Sequence, residues 1–101
     1  MKIFKFGGAS VKDAESVKNV AAILSLFKNE PLVVVISAMG KSTNALEKVV
    51  NAFYYKKQDV KEAITEVKDF HFKILDGLGF RTDHEIFHQV ENAFTEIEWV
   101  M

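Results

Sequence analysis

Lys2-Ile3-Phe4-Lys5-Phe6 alternates charged and apolar positions and then meets Gly7-Gly8, the pattern of a short strand closed by a glycine turn. Leu32-Val33-Val34-Val35-Ile36 is apolar without alternation and ends at Ser37-Ala38-Met39-Gly40. That run predicts a second strand, buried on both faces. Between the two, Val11, Ala14, Val17, Ala21, Leu24 and Phe27 recur at steps of three or four, the period of an amphipathic helix. Ser10 is placed to cap this helix, with Asp13 where a capping-box acid stands. The helix must stop near Asn29-Glu30-Pro31, because proline cannot continue it and pushes the preceding residue out of helical geometry.

The remainder reads as three helices. Asn44, with Glu47 three residues on, is placed to cap the first, whose inner face is Leu46, Val49, Val50 and Phe53. Asp59 with Glu62 opens the next, which carries Val60, Ala63, Ile64, Val67, Phe70, Ile74 and Leu75 inward and ends at Gly77 and Gly79. Thr82 with Glu85 opens the last, with Ile86, Val90, Ala93, Phe94 and Ile97 inward and no visible stop before Trp99-Val100-Met101.

The order is therefore β-α-β followed by helices, an α/β class. A helical crossover joins parallel strands, which brings both glycine-bearing turns to the carboxyl edge of one sheet. Two strands, the second apolar on both faces, rarely make an independent sheet. The pattern thus predicts part of a larger fold, with an open sheet edge and helix faces through which a homo-oligomer could form.

Composition narrows the function. Among 101 residues, 49% are hydrophobic and 27% charged, values of a soluble globular chain with room for one modest core. The net charge of -1 lacks the basic excess of a nucleic-acid binder. With no cysteine there is no disulfide, thiolate metal site or cysteine nucleophile. The opening residues hold no signal-peptide core and the longest apolar run is far too short to span a membrane, so a cytoplasmic protein is expected.

A strand ending in Gly7-Gly8 before a helix capped by Ser10 presents backbone N–H groups suited to phosphate, and Lys5 is placed to balance phosphate charge. Ser37, Ala38, Gly40, Ser42, Thr43 and Asn44, the small and hydroxyl residues of the second turn, are suited to a carboxylate or an amine. Each turn alone is most simply a tight turn with a helix cap, and neither a P-loop nor a dinucleotide fingerprint is present. Together, on one sheet edge, they make the crevice where open α/β sheets bind ligands. His84-Glu85-Ile86-Phe87-His88 matches a zinc-hydrolase helix motif, but only thirteen residues follow, leaving Glu91, Glu96 or Glu98 as third ligands, and His84 falls in a capping turn, so a solvated helix face is expected and no metal site is assigned. His71, among Val67, Ile74 and Leu75, reads as a partly buried structural histidine, and Lys56-Lys57 as a solvated helix face.

Lys5-Phe6-Gly7-Gly8-Ala9-Ser10-Val11 resembles the opening signature of aspartate kinases. Val35-Ile36-Ser37-Ala38-Met39-Gly40 followed by Thr43-Asn44-Ala45-Leu46 is similar to that family's second block. Ala9 stands where the family more often has threonine, and residues 55 to 101 match only in pattern. The resemblance implies a three-layer αβα amino-acid-kinase-like fold, with this chain as a truncated N-terminal portion: a β-α-β-α half-site over residues 1–54 and a helical region over 55–101. It implies ATP and magnesium as cofactors and aspartate as substrate, with no nucleic-acid or membrane partner. Lys5 would be catalytic; Lys5, Gly7, Gly8, Ser10 and Ser37 would contact ATP, and Thr43 and Asn44 the aspartate. The product would be 4-phospho-aspartate, the first step toward lysine, threonine and methionine. The family's later acidic and glycine-rich blocks have no counterpart here, so the isolated chain is expected to be inactive. The alternatives are a non-catalytic helical binding or assembly module, or another amino-acid kinase such as a glutamate or acetylglutamate kinase.

Overall fold

The computed structural model describes residues 1–55 and 60–100. The expected helix start at Asp59 and the Lys56-Lys57 face lie outside the described residues. The chain forms two compact units, Met1–Lys41 and Ser42–Met101.

In the first unit β1 (Lys2–Phe6) pairs in parallel with β2 (Leu32–Ile36), in a register that sets Lys2 opposite Leu32 and Phe6 opposite Ile36. The Lys2 N–H donates to the Pro31 carbonyl at 3.3 Å and the Ser37 N–H to the Phe6 carbonyl at 2.9 Å. The expected β-α-β order is present, with α1 (Ala14–Ser25) as the crossover. Alternation along β1 puts Phe4 and Phe6 on one face. There Phe6, Val11 and Val20 form a small core, with Phe4, Val17, Ile23, Leu24 and Met39 packed around it.

Two expectations fail in this unit. Ser10 does not cap α1: it lies in a 3₁₀ turn, Gly8–Val11. Asp13 is itself the cap, its carboxylate accepting the Ser16 N–H at 2.8 Å. The glycine turn uses its own i to i+3 bond, Ser10 N–H to the Gly7 carbonyl at 3.0 Å, and so moves the helix cap three residues on, from Ser10 to Asp13. Nor is β2 buried on both faces, since Val33 to Ile36 are all exposed, Ile36 at 53%. Among the described residues the sheet has only two strands, so each keeps one unpaired edge.

The second unit holds α2 (Ser42–Tyr55), α3 (Val60–Gly77) and α4 (Glu85–Val100). Val49, Ile64, Val67 and Phe94 make its core, flanked by Ala45, Val60, Ala63, Val90 and Ile97. Helix α2 begins at Ser42, so Asn44 is inside its first turn instead of capping it. Its buried positions are Ser42, Val49 and Ala52, while Leu46, Val50 and Phe53 are exposed at 38%, 53% and 46%. Two apolar stripes run along this helix and α3 takes the one with the smaller side chains.

Helix α3 ends as expected: the Leu78 N–H reaches the Ile74 carbonyl and Gly79 adopts φ +86, a left-handed value glycine accepts freely. Helix α4 starts at Glu85, not Thr82, and His84 Nδ1 accepts the Ile86 N–H at 3.0 Å. His84 is therefore a cap outside the helix, and the two histidines of the zinc-like motif do not share a helix face. His71 is half-buried, its Nδ1–H donating to the Val67 carbonyl at 2.8 Å and its ring edge-on to Phe94, the structural role expected of it. No described helix is long and apolar enough to cross a membrane.

Candidate functional site

The parallel register brings the carboxyl ends of β1 and β2, and the turns that leave them, to one edge of the sheet. The turns are joined by backbone alone: the Gly40 N–H donates to the Gly8 carbonyl at 3.0 Å. Gly40 has φ +56, a conformation costly for most side chains. A Cβ on Gly8 would lie 2.6 Å from the Gly40 carbonyl oxygen and 3.2 Å from that of Ala38. The contact therefore requires glycine at position 8. A Cβ on Gly7 would meet nothing within 4 Å, so Gly7 leaves its backbone open to whatever approaches from outside. Met39 packs against the small core and so ties the second turn to the unit beneath it.

Lys5 is exposed and paired with Val35. Strand alternation puts it on the face opposite Phe4 and Phe6. It forms no ion pair among the described residues, whereas Lys2 is held by Glu30 at 3.5 Å and lies over the Phe27 ring at 4.5 Å. The Lys5 ammonium is thus available to an anion.

Ser37 follows β2 directly; its N–H is used in the ladder and its side chain is exposed. Ser10 borders an open groove of about 400 Å³ between the 3₁₀ turn and α1, with Phe6, Lys12, Ser16 and Asn19. The N-terminus of α1 already holds a carboxylate. Asp13 supplies it, and the Ser16 backbone N–H, the Ser16 side chain and nearby Lys12 hold the Asp13 carboxyl below its ordinary value of 3.8.

The structure thus gathers Lys5, Gly7, Gly8 and Ser37 at one sheet edge. Thr43 and Asn44 are exposed in the first turn of α2 and belong to the second unit. Sequence reasoning named Gly40 among the small residues of the second turn but gave Met39 no part, and it did not see the contact of Gly40 with Gly8. The signal was a glycine following an apolar residue within a run of small residues, but the need for glycine at position 8 comes from a partner 32 residues away. Among the described residues no group of three or more His, Asp or Glu side chains is arranged to hold a metal ion.

Comparison with known proteins bears on this geometry. The sequence model of the Amino acid kinase family matches residues 1–94. Aspartokinase 2, chloroplastic, of Arabidopsis thaliana is 38% identical over 84 residues, covering 79% of this chain and 15% of its own length. Aspartokinase 2 of Bacillus subtilis is 48% identical over 50 residues, covering 48% of this chain and 12% of its own. The aspartokinase of Chlamydia trachomatis is 31% identical over 97 residues, covering 95% of this chain and 21% of its own. The chain therefore spans between about an eighth and a fifth of the length of these relatives.

Proposed function

The chain belongs to the amino acid kinase family, and from that premise we propose that its two strand-end turns form the phosphate side of an ATP site serving phosphorylation of the aspartate side chain. The observation that carries this reading is the direct backbone bond between the turns, Gly40 N–H to the Gly8 carbonyl at 3.0 Å, beside an unpaired lysine. The names of the relatives support aspartate as the acceptor.

In this reading the open backbone at Gly7, with Gly8, Ser10 and Ser37, meets the phosphates, and the Lys5 ammonium neutralises charge as the γ-phosphoryl group leaves ADP. Thr43 and Asn44 hold the amino acid. A carboxylate oxygen of aspartate attacks the γ-phosphorus, the bond to the bridging oxygen breaks, and the acyl phosphate 4-phospho-aspartate forms with no covalent enzyme intermediate. The protein's contribution is positioning and charge neutralisation. The described residues offer no metal-ligand set, so magnesium belongs to the proposal only as an ion accompanying the nucleotide, and no step is assigned to it. The product is the precursor of lysine, threonine and methionine. The cytoplasmic location expected from the sequence is part of the proposal, although the plant relative is named chloroplastic.

The test is hydroxylamine trapping of acyl phosphate with ATP, magnesium and aspartate. The isolated chain should give no hydroxamate. Grafted over the matching segment of the Chlamydia trachomatis relative, it should support turnover, and Lys5→Ala in that chimera should lower the rate on the order of a hundredfold or more. A near-normal rate for Lys5→Ala would remove Lys5 from the mechanism. Turnover by the isolated chain would show that the site is complete within it.

A further inference from the structure

The two glycines of the first turn sit in different surroundings, and the difference assigns them different work. Gly7 has open space where a side chain would be, so an alanine there costs the fold nothing by collision but projects a methyl group toward an approaching ligand. Gly8 has no such space. Its missing Cβ would fall 2.6 Å from the Gly40 carbonyl oxygen, which is backbone and cannot swing aside as a flexible side chain would. Its own carbonyl accepts the Gly40 N–H, and Gly40 makes this approach from a left-handed conformation. Met39, the residue before, is partly buried and packs against the core of the same unit, so a shift of the second turn to relieve a collision would disturb that packing.

We infer that Gly8 and Gly40 form a backbone clasp that fixes the separation of the two turns, and that Gly8 is needed in the proposed phosphoryl transfer as a positioning residue while Gly7 is the glycine that admits the phosphates. The inference rests on the proposed function for its second half only; the clasp is a property of the fold. A transfer reaction is sensitive to the separation of donor and acceptor sites, and displacement of about 1 Å can cost on the order of a hundredfold in rate. A hydrogen bond at the junction, with no room for a methyl group, holds that separation without using a side chain of either turn.

The clasp is measurable in the isolated chain by NMR. A scalar coupling across the hydrogen bond from the Gly40 nitrogen to the Gly8 carbonyl carbon should be visible, and the Gly40 amide should exchange with solvent at least tenfold more slowly than that of Gly7. Gly7→Ala should leave both unchanged and weaken tripolyphosphate binding about tenfold. Gly8→Ala should abolish the coupling and speed Gly40 exchange at least tenfold. With manganese tripolyphosphate as the probe, paramagnetic broadening of the Ser37 and Gly40 amides should fall in Gly8→Ala relative to that at Gly7, a change in distance that loss of stability alone does not produce. An unprotected Gly40 amide in the unmodified chain, or a Gly8→Ala chain with its protection intact, overturns the clasp. Should Gly8→Ala not fold, the coupling in the unmodified chain and the Gly7→Ala comparison decide. Tripolyphosphate that fails to bind a chain with an intact clasp overturns the phosphate reading and with it the positioning role, and leaves the clasp standing.

Discussion

The unit that carries the glycine turns buries three apolar side chains, Phe6, Val11 and Val20, and leaves most of β2 open to solvent. The helical unit buries Val49, Ala52, Ile64, Val67, Ile74, Leu75 and Phe94. The first is specified by backbone: a parallel ladder, a 3₁₀ turn, a glycine contact that excludes a methyl group, and a left-handed glycine. The second is specified by side-chain volume on three helices. Substitutions should therefore act by different mechanisms in the two. In the helical unit the cost follows the volume removed. Around the turns it follows the backbone conformation or bond disturbed.

The strongest challenge to that contrast is Phe94→Ala. Phe94 is 6% exposed and edge-on to His71, so its truncation should destabilise the chain by about 3 to 5 kcal/mol in denaturant unfolding. A loss below about 1 kcal/mol would show that the helical core is not close-packed. Asp13→Ala tests the other unit with a smaller expected effect. Removing the acceptor of the Ser16 N–H should fray the start of α1, seen as faster amide exchange at Ser16 and Val17, while Asp13→Asn should largely restore it. The sign of the pH effect follows from the depressed pKa of Asp13. Its contribution is present above the ordinary value of 3.8 and is lost as pH falls through the lower folded-state value, so the fraying should appear in the unmodified chain only as pH falls below 3.8. A carboxyl titration at or above 3.8 for Asp13 would contradict the cap. The smallest effect belongs to Val35→Thr. Val35 is apolar yet 47% exposed, and its replacement should change stability by no more than about 0.5 kcal/mol. A loss of more than about 1 kcal/mol would mean that this strand face is covered in solution.

Much of this arrangement was legible in the chain. Pro31, Gly7-Gly8 and Gly40 bounded the strands, and the crossover rule placed both turns on one edge of the sheet. What escaped was decided by partners distant in sequence. Helix α2 carries two apolar stripes, and periodicity alone could not say that α3 would cover Ala45 and Val49 and leave Leu46, Val50 and Phe53 outside. Ser10 and Thr82 looked like caps by residue type. The 3₁₀ turn displaced the first to Asp13, and a histidine ring nitrogen, a rarer cap acceptor, took the Ile86 N–H beyond the second. In the site, Lys5 and the glycines were visible as residue types, but the unequal surroundings of Gly7 and Gly8 were not, because they depend on where Ala38 and Gly40 place their carbonyls.

The register between the strands also bears on how the chain reaches this state. Every pair in the ladder, from Lys2 with Leu32 to Phe6 with Ile36, joins positions separated by the same 30 residues, whereas α2, α3 and α4 pack against sequence neighbours. Contacts between distant positions must offset the entropy of closing the intervening loop before they stabilise anything, so the helical hairpins should form first and the sheet late. The junction of the two turns then closes only with the ladder, in the last kinetic phase. Pulse-labelled exchange should find the α3 amides protected before that of Ser37; the reverse order would mean that the sheet nucleates folding.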